Sequence, residues 1–343
     1  MIREINKDEE KKWDAFVRAH FYGDYTALTS YGKVLSRVYG SSQKFFVYEK
    51  GGEWQSILPI VFNKDFFGRK RLVSYTGVLI HQLTTKEEQK EIASLWHEHL
   101  VSLAKKDKSF SSGILYQRDY PEKFREFSHI NQEVAVLPLK SNWEEIENKF
   151  ERQVMKAIRK AHEQNVVVKR ISDKQSVLSM FYPLYAKWSH KRHGSPAHGA
   201  PYFEALCDEL SQEIVLYMAF MDKRPVAALL GFDTGMRLYA AFNPSNMSSH
   251  HNRANDILHH TMIKDAHARG VKLFDFGPVR YAGQERYKEK WGTTRISADA
   301  WYVGRYPGVQ MGTGQGIISR AWRMLPFVLV KRLGPFIRRH LGQ

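Results

Sequence analysis

The sequence predicts an α/β protein made of two similar units in tandem, each a mixed, largely antiparallel sheet flanked by helices, followed by a basic tail. Three observations carry that expectation. Helical and strand periodicities alternate through residues 1–140 at the spacing of an α/β domain. The same order of elements recurs over 141–304, although no residue-level repeat is visible. From Arg305 to Gln343 the composition changes, with no Asp or Glu at all.

Within 1–140, Lys11 to Arg18 reads as a helix. Lys44–Tyr48 and Trp54–Phe62 read as an antiparallel pair turning at Gly51-Gly52. Arg71 to Ile80 is a further strand region. Lys86 to Lys105 is an amphipathic helix with Ile92, Leu95, Trp96, Leu100 and Leu103 on its inner side. Strands follow near Gly113–Tyr116 and Val134–Leu139. In the second pass, Asn142–Asn165 is helical, Val166–Ile171 a strand, and Lys174–His193 and Pro201–Ser211 helical. Ile214–Phe220, Pro225–Phe232 and Arg237–Phe242 are strands. Ala254–Arg269 is a helix stopped by Gly270, and Lys272–Phe276 is the next strand.

Composition narrows the partners. The chain has 343 residues, with 52 Lys and Arg against 36 Asp and Glu, a net charge of +16. That balance favours nucleic acid, an anionic membrane surface or a phosphorylated substrate. A single cysteine, Cys207, excludes a disulfide framework within the chain and fits a reducing compartment. The charged N-terminus lacks an export signal, and no run reaches the ~20 apolar residues of a spanning helix, so a cytoplasmic location is expected. In the tail, Arg320, Arg323, Lys331, Arg332, Arg338 and Arg339 are interleaved with aromatic and aliphatic residues, and Pro326 and Pro335 are expected to break it into short pieces. Such a segment suits the anionic inner-membrane surface, at ~1 kcal/mol per basic residue. The alternative is a tail packed on the first domain.

The chemistry concentrates in a strand and the loop after it. Val271–Gly277 is apolar apart from Asp275, ends on a glycine, and runs into a loop rich in Arg and Lys that closes with Tyr287-Lys-Glu-Lys-Trp-Gly292. A strand ending in a cationic loop can hold a phosphate-bearing substrate or steady developing negative charge. In the helix beginning near Phe150, Arg152, Lys156, Arg159 and Lys160 fall on one side, opposite Phe150, Val154, Ala157, Ile158 and Ala161. Like charges four apart repel, so the stripe either meets an anion or stands as a solvated face. The loop Trp188–Tyr202 places His193 and His198 where loops often line sites. No carboxylate or Cys has metal-ligand spacing beside its histidines, so no metal is expected. The glycines of Gly312–Gly316 lack the context of a phosphate loop and read as a connector.

The second half resembles a known family. The motif Arg152-x-x-x-Lys-x-Ile-Arg-Lys-Ala161, Asn255, Arg269-Gly270, Phe274-Asp-Phe-Gly277 and Tyr287-Lys-Glu-Lys-Trp-Gly292 is similar to that of the FemAB aminoacyl and acyl transferases, built from two acetyltransferase-like (GNAT) units. His193-Gly-Ser-Pro196 and the Leu-Pro and Leu-Gly-Pro tail are closest to FemAB-like proteins associated with exosortase (PEP-CTERM) and exopolysaccharide clusters. The resemblance implies transfer of an acyl group from aminoacyl-tRNA or acyl-CoA to an amine of a nucleotide- or polyprenyl-linked glycan precursor, with tRNA a further partner. It places Lys288 near the donor as the catalytic oxyanion stabiliser, Asp275 in the motif either as a catalytic acid or as a carboxylate pairing with Arg280 or Lys288 to fix the loop, and Arg280 in the exposed basic loop. Tyr239, Asn255, Tyr281 and Lys290 complete the expected substrate contacts. Pro278 stands where an Arg often follows the glycine, and the long helical hairpin that some members insert is lacking, two departures from the family pattern that count against tRNA use and against a peptidoglycan acceptor. Two other classes fit parts of the pattern. One is a non-catalytic membrane-peripheral adaptor of the same fold; the other is a general nucleic-acid binder.

Overall fold

The computed structural model describes residues 1–64, 68–106, 110–118, 127–195, 197–246, 251–304 and 317–341. The Gly312–Gly316 connector, Pro196 and the His193 side chain lie outside the described residues. The strands are β1 (Ile2–Glu4), β2 (Ser42–Lys50), β3 (Glu53–Lys64), β4 (Lys70–Ser74), β5 (Leu79–Ile80), β6 (Phe110–Arg118), β7 (Ser128–Ile130), β8 (Glu133–Pro138), β9 (Val167–Ile171), β10 (Ile214–Met221), β11 (Arg224–Asp233), β12 (Arg237–Phe242), β13 (Leu273–Pro278) and β14 (Thr294–Gly304). The helices are α1 (Glu10–Ala19), α2 (Thr29–Tyr39), α3 (Lys86–Lys106), α4 (Trp143–Glu147), α5 (Arg152–Glu163), α6 (Lys174–Ser176), α7 (Tyr182–Trp188), α8 (Ala200–Glu209), α9 (Ala254–Ala268), α10 (Ala282–Glu289), α11 (Ile317–Met324) and α12 (Phe327–Leu341). π turns at Val177–Phe181 and Ser189–His193 continue α6 and α7 into one helical run.

The chain divides into two compact units, one of Met1–Glu133, Ile296–Val309 and His340–Gln343, the other of Val134–Arg295 and Gln310–Arg339. In the first, the strands run β1-β2-β3-β4-β6-β14, with β5 added to β3. Every pairing there is antiparallel except β4 with β6, whose crossover contains α3. In the second, the order is β9-β10-β11-β12-β13-β8. Again one pairing is parallel, β12 with β13, bridged by α9. A parallel pair needs such a crossover. The two orders match strand for strand, so the expected duplication is present in topology.

The unit boundaries differ from 1–140, 141–304 and 305–343. β8 bonds to β13 in the second unit, Phe274 opposite Leu137, whereas Ala298–Gly304 of β14 bonds to β6 in the first. A strand belongs with the ladder that satisfies its backbone, whatever its place in sequence.

The tail also differs from expectation. α11 and α12 belong to the second unit, where His190 Nε2 lies 3.1 Å from the Trp322 carbonyl oxygen and its ring stacks on Phe327. Pro335 does not break α12. Its ring removes one backbone donor, but it is held by packing, since a Cβ at Gly199 would lie 3.0 Å from its Cγ. In α3, Ile92, Trp96 and Leu100 are buried and the Trp96 indole donates to Ser56 Oγ at 2.8 Å, but Leu95 is exposed. Leu95 sits about 100° around the helix from the middle of that stripe.

The second unit's core gathers Ala135 and Leu137 of β8, Val154, Ile158 and Ala161 of α5, Ile257, Leu258 and Met262 of α9, Phe274 and Phe276 of β13, and Trp291. α5 is as its pattern predicts: Val154, Ala157, Ile158 and Ala161 are buried, and Arg152, Lys156, Arg159 and Lys160 are exposed. Asn165 takes φ +54° just past the helix, and Val166 N–H donates back to the Ala161 carbonyl at 3.0 Å. This turns the chain into β9.

Candidate active site

The parallel pair β12/β13 is in register for only three residues, Arg237 with Leu273, Leu238 with Phe274 and Tyr239 with Asp275. β12 continues to Phe242 and β13 to Pro278, so beyond Tyr239 and Asp275 the strands part. On its other side β13 slips register against β8 between Asp275 and Pro278. A fork opens there, and its backbone groups need partners from elsewhere.

Lys288 of α10 supplies them. Its Nζ donates to the Gly277 carbonyl at 2.8 Å and the Pro278 carbonyl at 2.7 Å. The side chain is buried, and desolvation lowers its pKa to about 8, with Asp275 pulling up and Arg280 pushing further down. An ammonium has three N–H donors; two hold the arm of the fork and one remains. The first role of Lys288 is thus to position the arm while keeping charge at its mouth.

Asp275 is fully buried. One oxygen accepts the Gly277 N–H at 2.6 Å and the other accepts from Arg237, whose guanidinium is equally buried and lies 5.4 Å from the Tyr239 ring centre. The expected catalytic role for Asp275 is corrected: bonded on both oxygens and sealed from solvent, it anchors the fork and cannot touch a substrate. It is ion-paired with Arg237, and its charge also acts on Lys288. Gly277 has φ +76°, and a Cβ there would lie 3.1 Å from the Tyr239 ring, so both the backbone and the space exclude a larger residue. Tyr239 is half-buried beside it.

A second cluster backs the first. His259 of α9 stacks on Phe276 with ring centres 5.3 Å apart. Its Nδ1 lies 2.8 Å from the Asn255 carbonyl oxygen and 3.0 Å from the Tyr287 hydroxyl. Burial lowers the imidazole pKa to about 4 and pushes the Tyr287 phenol well above its ordinary value. Lys290 is buried, ion-paired with Asp256, and its Nζ lies 4.0 Å from the Tyr287 ring centre. Lys290 is therefore structural, contrary to its expected place among substrate contacts. Asn255 accepts from Asn243 Nδ2 at 3.2 Å, and Asn243 donates to the Ala228 carbonyl at 2.8 Å, tying the start of α9 to β11.

The helix of cations adjoins this loop. Glu151 N–H donates to the Lys290 carbonyl at 2.8 Å, and Phe150 packs edge-on against Trp291 at 5.2 Å. Among the described residues, Arg152, Lys156, Arg159 and Lys160 make no ion pair. Arg280 and Tyr281 are exposed at the other end of the loop, where Arg280 N–H donates to Gln284 Oε1 at 3.2 Å. His198 does not join them. It is buried against Tyr202, ring centres 4.0 Å apart, and burial holds it well below its ordinary pKa, so it is a packing residue.

Sequence reasoning missed Arg237, His259 and Tyr287. Arg237 is placed by strand register, which the sequence does not give: residues two apart on a strand share a face, so the pairing of Tyr239 with Asp275 puts Arg237 on the carboxylate's side. The first unit's parallel pair shows what an occupied fork looks like. Beyond Ser74 and Leu115, Gln117 reaches across, accepting from Val78 N–H at 2.7 Å and donating to the Val78 carbonyl at 3.1 Å. Among the described residues no group of His, Cys, Asp and Glu could hold a metal ion.

Residues 148–289 match the model of the acetyltransferase (GNAT) domain. No curated protein matches the sequence. Among solved structures, FemX is similar at 17% identity, with 88% of this chain and 96% of that one covered and a TM-score of 0.69. The C-terminal domain of a putative lysylphosphatidylglycerol synthetase from Agrobacterium fabrum is similar at 11% identity, covering 90% and 94%, TM-score 0.57. A tandem GNAT protein from the clavulanic acid biosynthesis pathway is similar at 10% identity, covering 88% and 98%, TM-score 0.51. At these identities the likeness is one of fold. The match to the GNAT acetyltransferase domain thus covers the part of the chain that holds the fork, and the fold of the whole chain is similar to those of FemX and of a tandem GNAT protein.

Proposed function

We propose that this protein transfers an acyl or aminoacyl group to an amine of a nucleotide- or polyprenyl-linked glycan precursor, in cell-envelope or exopolysaccharide assembly at the cytoplasmic face of the membrane. The observation that carries the reading is the β12/β13 fork inside the GNAT domain, held open by Lys288 where the first unit's fork is bridged by Gln117. The donor carbonyl lies along the free edge of Ala240–Phe242, where main-chain N–H groups and the Lys288 charge stabilise the oxyanion. The neutral amine attacks the carbonyl carbon and a C–N bond forms. The C–O bond of an aminoacyl ester, or the C–S bond of an acyl-CoA thioester, then breaks. The ammonium proton leaves with the departing oxygen or sulfur, or to water. Asp275 and His259 are both committed to internal bonds and take no proton.

Arg152, Lys156, Arg159 and Lys160 would meet the phosphates of the precursor, their charges otherwise repelling without compensation. Arg280 and Tyr281 face the same loop from its exposed end. The subtype resembling exosortase-associated proteins favours an exopolysaccharide precursor over peptidoglycan.

Purified protein incubated with an acyl-CoA mixture or charged tRNA, and with nucleotide-linked amino sugars, should give a precursor heavier by one acyl group in mass spectrometry. Failure with every donor and acceptor pool, alongside unchanged precursors in a deletion strain, would refute the reading.

A further inference from the structure

The strongest surface feature outside the fork is the outer side of the C-terminal helices. Val330, Gly334 and Trp322 are buried, and Arg323 donates to the Arg192 carbonyl at 2.9 Å, so one side of α11 and α12 is fixed to the second unit. Around α12, at ~100° per residue, Val328, Leu329, Arg332, Phe336 and Arg339 fall on the opposite side, with Leu333 at its margin. All six are exposed, and Met324, just before, is 85% exposed while Val328 is 66% exposed. Large apolar side chains exposed in a cluster mark an interaction surface when they lie together.

The charge around them identifies the partner. Arg320, Lys331, Arg332 and Arg339 are exposed on these helices, and Arg305 to Gln343 contains no acidic residue. No helix among the described residues is long and apolar enough to cross a membrane. A helix with apolar side chains between cations, too short and too charged to span, lies in the plane of an anionic bilayer with its apolar atoms among the acyl chains and its cations at the phosphates. We infer that the outward face of α12, with Met324 of α11, is a docking surface for anionic phospholipid. This goes beyond the acyl-transfer reading, and its test is independent of any activity.

The full chain should co-sediment with phosphatidylcholine vesicles containing one-third phosphatidylglycerol and not with phosphatidylcholine alone. L329D/L333D, at exposed positions, should retain the native melting curve and lose vesicle binding by more than tenfold. R332Q/R339Q should weaken binding about 25-fold, at about fivefold per basic residue, and make it less sensitive to salt. Equal sedimentation of wild type and L329D/L333D would overturn the inference. So would wild type that ignores anionic vesicles, or that forms a dimer which L329D/L333D dissociates without any vesicle binding. If the melting curve of that variant shifts, the separate exposed substitution V328D, with the same expected loss, decides.

Discussion

The Lys288 ammonium lies 2.8 Å from the Gly277 carbonyl oxygen, bridging α10 to the arm of β13 that has left its parallel partner. The contact replaces a strand ladder with a single charged donor. Replacing Lys288 with Met should release two buried carbonyls and remove the charge at the fork. Transfer activity should fall about a hundredfold, the range for losing one oxyanion-stabilising donor. Lys288→Arg, which keeps charge but not the compact ammonium, should recover only part of it. Steady-state kinetics on the three proteins measure this.

Lys288 also gives the stability a pH signature. Its folded pKa is about 8 and its ordinary value 10.5. Between those values the unfolded chain binds more protons, so this group makes stability rise with pH from about 8 to 10.5, and its burial penalty is complete below 8. Chemical denaturation across that range should show the rise in the native protein and a flatter profile in Lys288→Met.

His20, which follows α1 and whose Nε2 lies 2.8 Å from the Ile80 carbonyl oxygen, and His259 act at the other end. Each has a pKa lowered by burial to about 4 from 6.5. The unfolded chain again binds more protons between 4 and 6.5, so stability falls as pH drops through that window, by about 2 kcal/mol for each histidine at pH 5. His259→Phe should shrink the loss between pH 7 and pH 5, read from urea midpoints.

Asp275→Asn should leave the buried Arg237 without its counter-charge, at a cost of about 3–5 kcal/mol. Gly277→Ala should cost about 1–3 kcal/mol for its left-handed backbone alone, with the Tyr239 contact adding to it. Both are read from denaturation midpoints. If Asp275→Asn kept full stability yet lost activity, a direct catalytic role for the carboxylate would return.

Neutralising Arg152 and Arg159 to Gln should change stability by less than about 0.5 kcal/mol, since both are exposed. For a phosphate-bearing acceptor the KM should rise about tenfold, ~1.4 kcal/mol, with kcat unchanged. High salt should erase the difference between the two proteins.

Much of the architecture was legible because it rests on local patterns. The α5 cations and apolar residues separate by helical period alone, and the Val271–Gly277 strand is marked by its apolar run and terminal glycine. The site was legible in place but not in role. Lys288 and Asp275 stand in a recognisable motif, yet their work depends on where β12 and β13 separate, and on Arg237, 38 residues from its carboxylate partner. Lys290 looked like its neighbour Lys288, but only the fold reveals Asp256 beside it. Domain limits were hidden for the same reason: nothing local in β8 or β14 announces which ladder each will join.

That exchange of strands bears on how the molecule comes into being. As the chain leaves the ribosome, the first unit's β6 has no β14 beside it until residue 304 has been made, after nearly all of the second unit. A gene split after Glu133 would therefore leave β6 without its β14 partner in the first fragment, while the second fragment keeps a complete sheet and carries β14 away.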